Sequence, residues 1–219
     1  MASSDRERDL RFQRQVTHLL LEQLQAQGFV LTGSGALREH GLIDRPTKDV
    51  DMFTEMSSAQ TFVPATKRAV EMLRAAGYDV EVGRDFPTYK SIGVSRGDQR
   101  LEVDFGLDYR GHQPVRMEIG PVLALDDAIG SKVSALYSRG YPRVFLDVDA
   151  IRQTGRFTDG HLLQAGQAQD PGLDRRLFGE LLQDVYKIRL GEVLPYGITE
   201  EQLENIKRRM GAWGEELSG

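Results

Sequence analysis

The chain has 219 residues, of which 40% are hydrophobic and 28% are charged. This length and balance fit one large or two small globular domains with a buried core, and they exclude a disordered chain. The sequence contains no cysteine, which excludes disulfides, thiolate metal sites and cysteine nucleophiles. The formal net charge of −5 argues against a basic surface over the whole molecule but is compatible with a local basic cleft for nucleic acid.

The sequence lacks a run of about 20 apolar residues that would cross a bilayer. Its first segment, MASSDRERDLRFQRQ, is charged where a signal peptide needs apolar residues. We therefore expect a cytoplasmic protein that contacts no membrane.

The first half of the chain alternates between helical and strand patterns. Apolar residues at helical spacing predict helices over 6–27, 36–40 and 64–76, the last with Pro64 in its first turn. Alternating or short apolar runs predict strands over 29–32, 49–53, 78–82, 89–94, 101–105 and, at an edge, 116–119.

After Pro121 the patterns are helical, with helices predicted over 126–138, 143–153, 159–165, 174–189 and 200–217. We therefore predict an α+β fold, of the α/β type, in which a mixed sheet is flanked by helices and is followed by an all-helical C-terminal region. The predicted domain boundary separates residues 1–122 from residues 123–219.

Three aspartates on predicted strands are the most informative residues. Asp49 and Asp51 lie two positions apart, so their side chains share one face of a strand, where two carboxylates repel each other unless a cation lies between them. Asp104 lies with Glu102 on the polar face of another strand and would complete a ligand set. Three carboxylates on adjacent strands can hold two Mg²⁺ ions about 3.5–4 Å apart, an arrangement suited to nucleotidyl transfer.

Gly33-Ser34-Gly35 lies at a predicted junction from strand to helix. Glycines allow a close approach of ligand to backbone, and the free amides at a helix start favour phosphate oxygens. Each feature alone has an ordinary explanation, since Gly-Ser-Gly is commonly a turn and Asp-x-Asp commonly a solvated strand end. The combination predicts a metal-dependent enzyme that uses a nucleoside triphosphate.

The pattern Gly33-Ser34, Asp49-x-Asp51 and Asp104 resembles that of the DNA polymerase β-like nucleotidyltransferases. The strings GSGAL over 33–37 and RPTKDVDMF over 45–53 are similar to the AbiEii/AbiGii abortive-infection toxin family, which includes the MenT toxins. Residues 125–136 resemble the family's lysine-bearing helix, and residues 143–149 resemble its Arg-Asp-x-x-Asp segment, with Val144 in place of the first Asp. The resemblance covers about residues 28–150.

The resemblance implies the toxin of a toxin–antitoxin pair. Such a toxin transfers nucleotides, preferably pyrimidine nucleotides, from an NTP to the 3′ end of tRNA and so blocks translation. It implies two Mg²⁺ ions, replaceable by Mn²⁺, bound by Asp49, Asp51 and Asp104, and it implies a cognate antitoxin as a partner. In these terms residues 1–122 are a nucleotidyltransferase domain with the metal site, and residues 123–219 are a helical domain that completes the active-site cleft.

Further roles follow from the same resemblance. Gly33, Ser34 and Lys48 are predicted to bind the NTP, and Lys132 is predicted to bind its triphosphate and to be catalytic, although the pattern also fits a surface lysine. Asp147 is predicted to be catalytic by orienting Lys132 or the acceptor end, with Asp149 as a weaker candidate.

Thr47, two residues before Asp49, is predicted to be regulatory. Some relatives are silenced when the antitoxin phosphorylates the matching residue, and a phosphate here would add a charge of about −1.5 to −2 beside the carboxylates. The alternative is that Thr47 only caps the start of the strand.

Support for an RNA acceptor from the residues themselves is confined to two basic groups, which also fit ordinary solvated faces. They are Arg38, Arg45, Lys48, Lys67, Arg68 and Arg74 near the predicted site, and Lys207, Arg208 and Arg209 on the last helix. Two alternative functions stay open: a small-molecule nucleotidyltransferase of the aminoglycoside-modifying type, and a catalytically silent member of the fold that binds a partner.

Overall fold

The computed structural model describes residues 2–47 and 49–219, with side chains from residue 6 onward. Lys48, a predicted NTP ligand, lies outside the described residues. The chain divides into two compact units: residues 1–39 with 47–124, and residues 40–46 with 125–219. The short segment 40–46 thus belongs with the C-terminal residues, although it precedes most of the first unit in the chain.

The first unit contains a seven-stranded sheet in its described residues, with strand order β3-β4-β5-β2-β1-β7-β6. The strands are β1 (Val30–Leu31), β2 (Asp49–Thr54), β3 (Asp79–Phe86), β4 (Tyr89–Arg96), β5 (Gln99–Leu107), β6 (Val115–Met117) and β7 (Gly120–Val122). β2 pairs with β5, and β1 with β7, in parallel, and the other neighbours are antiparallel. The predicted mixed sheet is therefore confirmed.

The helices of the first unit are α1 (Ala2–Leu24), α2 (Gly33–Glu39) and α3 (Ala59–Ala75). Phe62 of α3 stacks on Phe29, with ring centroids 5.9 Å apart, and Phe29 meets Phe105 of β5 edge-on at 6.1 Å. These rings are fully buried. α3 therefore covers the face of the sheet that Phe105 occupies, and we call this the covered face.

The other face of the sheet, the open face, carries the polar residues of β2 and β5. Val50 and Met52 are buried on the covered face, whereas Asp49 and Asp51, which alternate with them, are only half-buried. The same alternation on β5 places Asp104 on the open face. The period of two in these strands predicts this division, because successive side chains point to opposite faces.

The second unit is helical, as predicted for the C-terminal region. Its helices are α4 (Leu125–Arg139), α5 (Pro142–Gln153), α6 (Asp159–Gln169), α7 (Arg175–Leu182), α8 (Leu190–Val193) and α9 (Glu200–Ser218). Thr199 caps α9 because its hydroxyl accepts a hydrogen bond from the amide of Gln202, while the amide of Thr199 donates one to Oε1 of Gln202. This reciprocal pair is the capping box that the sequence at this position favours.

Several element boundaries differ from the predictions. α3 begins at Ala59 rather than Pro64, because the buried stripe of this helix starts with Phe62, before the proline. The single edge strand over 116–119 is a hairpin of β6 and β7, with a turn at Glu118 and Ile119 and with Gly120, at a φ of 128°, starting the second strand. The helix predicted to run to 189 ends at Leu182 and continues as a 3-10 turn over Gln183–Lys187.

Candidate active site

The parallel pairing of β2 with β5 brings the predicted carboxylates together. Asp51 lies directly opposite Asp104, and Asp49 lies directly opposite Glu102. All four positions are on the open face, so they form two rows of facing carboxylates, which we call the carboxylate ladder. Like charges directly opposite each other destabilise a sheet by about 0.2–1 kcal/mol per pair. The ladder therefore favours a cation on this face.

Glu102 was not predicted as a site residue. The alternation of β5 already places it on the same face as Asp104, and this could be read from the sequence. Its position opposite Asp49 depends on the register between strands some fifty residues apart in the chain, which the sequence alone does not specify.

The ladder fits Mg²⁺ or Mn²⁺ by its donor chemistry, because both ions prefer carboxylate oxygens. Asp51 and Asp104 offer such oxygens from opposite positions on neighbouring strands, which lie about 4.8 Å apart. Within residues 2–47 and 49–219, however, no three carboxylate or histidine side chains converge closely enough to hold a metal ion. The assignment of Asp49, Asp51 and Asp104 as metal ligands remains a prediction.

Gly33, the first residue of α2, lies against the carboxylate of Asp51. A Cβ added to Gly33 would be 1.9 Å from Oδ2 of Asp51, and the φ of Gly33 is 58°, in the left-handed region. Only glycine satisfies both conditions without strain. The glycine predicted as an NTP ligand thus has a structural reason to be present, and Ser34 beside it is buried in the first turn of α2.

Asp104 is also held in place by a tyrosine of β4. The hydroxyl of Tyr89 donates a hydrogen bond of 2.6 Å to Oδ1 of Asp104. Burial, together with the hydrogen bond and the negative charge of Asp104, raises the pKa of Tyr89 to about 12. Tyr89 therefore stays protonated, and remains a donor to Asp104, throughout the physiological pH range.

Thr47 takes part in a hydrogen-bond network at the start of β2. Its hydroxyl accepts hydrogen bonds from Gln13 Nε2 at 3.0 Å and from the guanidinium of Arg38 at 3.3 Å. Gln13 Nε2 also donates to the carbonyl of Asp49 at 3.1 Å. The network ties α1 and α2 to the first residue of the ladder, as the capping alternative for Thr47 requires, and the regulatory role remains a prediction.

In the second unit, Asp147 of α5 is fully buried between two cations. Its carboxylate is 3.0 Å from Lys132 Nζ and accepts two hydrogen bonds from Arg45, at 2.6 and 2.8 Å. Burial alone would raise the pKa of Asp147, but Lys132 and Arg45 together lower it. Asp147 therefore contacts Lys132, the residue it was predicted to orient, and it contacts Arg45, whose role was not predicted.

Asp149, the weaker candidate, has a structural role. It accepts hydrogen bonds of 2.8 and 2.6 Å from Arg209 of α9 and is itself buried. Lys207 pairs with Glu204 at 2.9 Å, and Arg208 donates to the side chain of Asn205. The basic group on α9 is thus engaged within its own unit and is not a free stripe of cations.

The basic residues expected near the metal site are also dispersed. Lys67 and Arg68 are exposed on α3, which packs on the covered face, so the sheet separates them from the carboxylate ladder. Arg74 donates to the carbonyl of Val80, and Arg38 to the side chain of Gln13. Among the described members of this group, Lys67 and Arg68 therefore do not contribute to a basic surface around the ladder.

A mixed sheet that presents a strand-borne Asp-x-Asp beside a third aspartate is an arrangement of nucleotidyltransferases. The chain belongs to the family of nucleotidyl transferase AbiEii toxins of type IV toxin–antitoxin systems, whose sequence profile matches residues 16–209. It is therefore a member of a nucleotidyl-transferring toxin family. No curated protein matches the sequence.

Two solved structures from Helicobacter pylori share the fold. The crystal structure of JHP933 aligns with 97% of this chain and 92% of that chain, at 15% identity and a TM-score of 0.59. A second protein, proposed to be a nucleotidyltransferase, aligns with 100% of this chain and 95% of that chain, at 14% identity and a TM-score of 0.61. Within the described residues, no helix has the length and apolar character needed to span a membrane.

Gly33→Ala should destabilise the first unit, because the new Cβ would collide with the Asp51 carboxylate and would occupy a left-handed conformation. Gly97→Ala is the matched control, since Gly97 has a φ of 64° but no atom within 4 Å of its added Cβ. Urea unfolding should show Gly33→Ala to be less stable than Gly97→Ala by about 1–3 kcal/mol. Equal stability of the two variants would contradict the close contact with Asp51.

Asp147→Asn should destabilise the protein by about 3–5 kcal/mol, because it leaves Lys132 and Arg45 without their shared buried counter-charge. Since the pKa of Asp147 is lowered in the folded state, its contribution is complete above the pKa of the unfolded carboxyl, about 4, and is lost as the pH falls below that value. Unfolding midpoints measured from pH 3 to 8 would test both points. Asp184→Asn, at an exposed ion pair with Lys187, is the control, and similar losses in both variants would refute the buried role.

Proposed function

We propose that this protein is a Mg²⁺-dependent toxin that transfers nucleotides, preferably pyrimidine nucleotides, from an NTP to the 3′ end of tRNA and thereby blocks translation. The observation that carries the proposal is the carboxylate ladder, in which Asp51 faces Asp104 across parallel strands. Membership of the AbiEii family supports nucleotidyl transfer and an antitoxin partner. The tRNA acceptor and the pyrimidine preference rest on the family resemblance described above.

In the proposed reaction, Asp49 and Asp51 would hold one cation, and Asp104 would hold a second one. Bound Mg²⁺ would supply the positive charge that lets an anionic triphosphate approach the carboxylates. Asp104 accepts the proton of the acceptor hydroxyl, whose oxygen attacks the α-phosphorus of the NTP. The bond between the α- and β-phosphates breaks, and pyrophosphate leaves.

We assign the triphosphate to Lys132, with Gly33, Ser34 and Lys48 as further contacts. Lys132 Nζ is 3.0 Å from the carboxylate of Asp147, which Arg45 also contacts, and a lysine ammonium can make a charge-assisted contact to a phosphate oxygen. Asp147 then acts as a positioning residue for Lys132. The KM for the NTP should rise in Lys132→Ala, and an unchanged KM would leave Lys132 with a structural role only.

A small cationic acceptor, of the aminoglycoside type, has one observation in its favour. A cavity of about 800 Å³ is lined by residues of β3, β4 and β5 and includes Asp79, Glu81 and Glu102. Arg74 and Arg100 also line it, so acidic groups are in the majority. Acidic side chains favour amines and repel phosphates, and Glu102 belongs to the carboxylate ladder.

One assay separates these functions. The protein is incubated with each labelled NTP, Mg²⁺ and either total tRNA or a panel of aminoglycosides. Label on tRNA supports the proposed function, label only on an aminoglycoside supports the second candidate, and the absence of label from all acceptors refutes both. Chelation of the metal should abolish the labelling.

Asp51→Asn and Asp104→Asn should each reduce the labelling to below about 1% of wild type, because each removes a charged oxygen ligand that the reaction needs. The matched control is Asp98→Asn, at an exposed aspartate of the same unit that pairs with Arg8, and it should retain full activity. Circular dichroism would verify that all three variants are folded. An Asp51→Asn protein that kept more than a few per cent of wild-type turnover would refute the metal-ligand assignment.

We further propose that the antitoxin silences the enzyme through Thr47. Phosphorylation of its hydroxyl would place a charge of about −1.5 to −2 beside Asp49, whose carbonyl accepts a hydrogen bond from the same Gln13 amide as Thr47 does. The added charge would compete with the NTP for the cation, although Arg38 next to Thr47 would hold the phosphate in place.

Co-expression with the antitoxin should add about 80 Da, the mass of one phosphoryl group, to the peptide that contains Thr47. Intact-mass and peptide mass spectrometry would measure this, with Thr61, an exposed threonine of α3, as the internal control. Thr47→Val should abolish the added mass and the inhibition together. An inhibited complex with unmodified Thr47 would show instead that the antitoxin blocks the site by binding.

A further inference from the structure

Tyr89 is placed on the open face by the register of β4 with β5. Ser91 lies opposite Asp104, and Tyr89 lies opposite Gly106. Tyr89 is therefore one diagonal step from Asp104 on the same face, a distance that aromatic side chains can bridge. The resulting hydrogen bond to Oδ1 of Asp104 measures 2.6 Å, in the range of a charge-assisted bond to a carboxylate.

Tyr89 is itself held by a bulge in β3. The pairing of β3 with β4 shifts register between Val82 and Asp85. In the bulge, the amide of Arg84 donates to Oγ of Ser91 at 3.0 Å, and the Arg84 guanidinium lies 5.4 Å from the centre of the Tyr89 ring. Bulges beside active sites commonly redirect a side chain in this way.

Gly83 permits the close approach of the β3 bulge to Ser91. A Cβ added to Gly83 would be only 2.8 Å from Oγ of Ser91. The bulge, the hydroxyl of Ser91, the guanidinium of Arg84 and the phenol of Tyr89 therefore form a continuous set of contacts that ends at the Asp104 carboxylate.

The order of the strands determines what this contact does. β5 lies between β4 and β2, so Tyr89 reaches Asp104 from one side and Asp51 stands on the other. The terminal torsion of an aspartate is broad and poorly fixed by its own rotamer preference. A strong hydrogen bond from Tyr89 to Oδ1 fixes this torsion and leaves Oδ2 outside that bond.

We propose that Tyr89 is a positioning residue for the transfer reaction: it orients Asp104 so that one oxygen is reserved for the cation and the acceptor hydroxyl, and Arg84 of the β3 bulge holds Tyr89 in place. This inference rests on the proposed function for its catalytic consequence. The orientation of the Asp104 carboxylate by the Tyr89 hydroxyl does not depend on which acceptor is used.

Tyr89→Phe keeps the ring and removes only the hydroxyl. In the labelled transfer assay, kcat should fall about 10–100-fold, the usual effect of losing a hydrogen bond to a metal ligand, and the Mg²⁺ concentration for half-maximal rate should rise. The KM for the NTP should stay within about twofold of wild type, because Tyr89 contacts Asp104 and not the nucleotide. Arg84→Gln should cause a smaller fall in kcat, also without a change in KM.

Tyr109→Phe is the matched control, since Tyr109 is exposed in the same unit, and it should leave kcat and the Mg²⁺ dependence unchanged. A Tyr89→Phe enzyme with wild-type kcat and wild-type Mg²⁺ dependence would overturn the proposal. A second contrary result is that both Tyr89→Phe and Arg84→Gln lower kcat and thermal stability to the same extent and leave the Mg²⁺ dependence unchanged. That result would also overturn the proposal, in favour of a purely structural role for Tyr89.

Crystal structures of wild type and Tyr89→Phe test the inference without any assay. We expect the Asp104 carboxylate to rotate in the variant, and an unchanged orientation would overturn the proposal. If wild type labels no acceptor, the proposed function fails, and these two structures still decide whether Tyr89 orients Asp104.

Discussion

The repulsion between facing carboxylates on β2 and β5 is the constraint around which the first unit is arranged. Asp51 faces Asp104 and Asp49 faces Glu102 in a parallel pair of strands, a register that costs stability unless positive charge or hydrogen-bond donors compensate for it. The surroundings supply part of the compensation. Tyr89 donates to Asp104, and Gly33 lets the start of α2 approach Asp51 more closely than any other residue would allow. A cation bound during nucleotidyl transfer would supply the rest of the compensation. The repulsion between the carboxylates therefore favours metal binding.

The tripeptide Asp-Val-Asp occurs twice in the chain, at 49–51 and at 147–149, with different consequences. On β2 the two carboxylates share a face, because side chains alternate along a strand. On α5 two residues of the same spacing point about 200° apart, so they meet different partners. Asp147 contacts Lys132 and Arg45, whereas Asp149 contacts Arg209. The secondary structure, and not the motif itself, decides that the first copy is a candidate metal site and the second a pair of internal ion pairs.

The alternation and periodicity of apolar residues were sufficient to predict the locally determined features of the fold. The alternation of β2 and β5 predicted which face Asp49, Asp51 and Asp104 occupy, and the helical periodicity predicted the helical second half. Long-range contacts could not be predicted in this way. Arg45 and Asp147 lie 102 positions apart, and the bond from Tyr89 to Asp104 requires the β4–β5 register. Lys67 and Arg68 likewise lie near Asp49 in sequence, but α3 holds them on the covered face, away from the ladder.

The distribution of charge limits how an RNA could use this site. The open face carries the carboxylate ladder, and the lining of the cavity along β3–β5 includes Asp79, Glu81 and Glu102, so a duplex laid across this face would bring phosphates against carboxylates. An acceptor that offers only a single-stranded 3′ end needs few phosphate contacts and presents its hydroxyl directly to Asp104. In the proposed reaction, a bound cation would supply the positive charge that the acceptor meets at the ladder. If the acceptor is tRNA, as proposed above, contact through its single-stranded 3′ end therefore suits the acidic character of this face better than contact through a duplex.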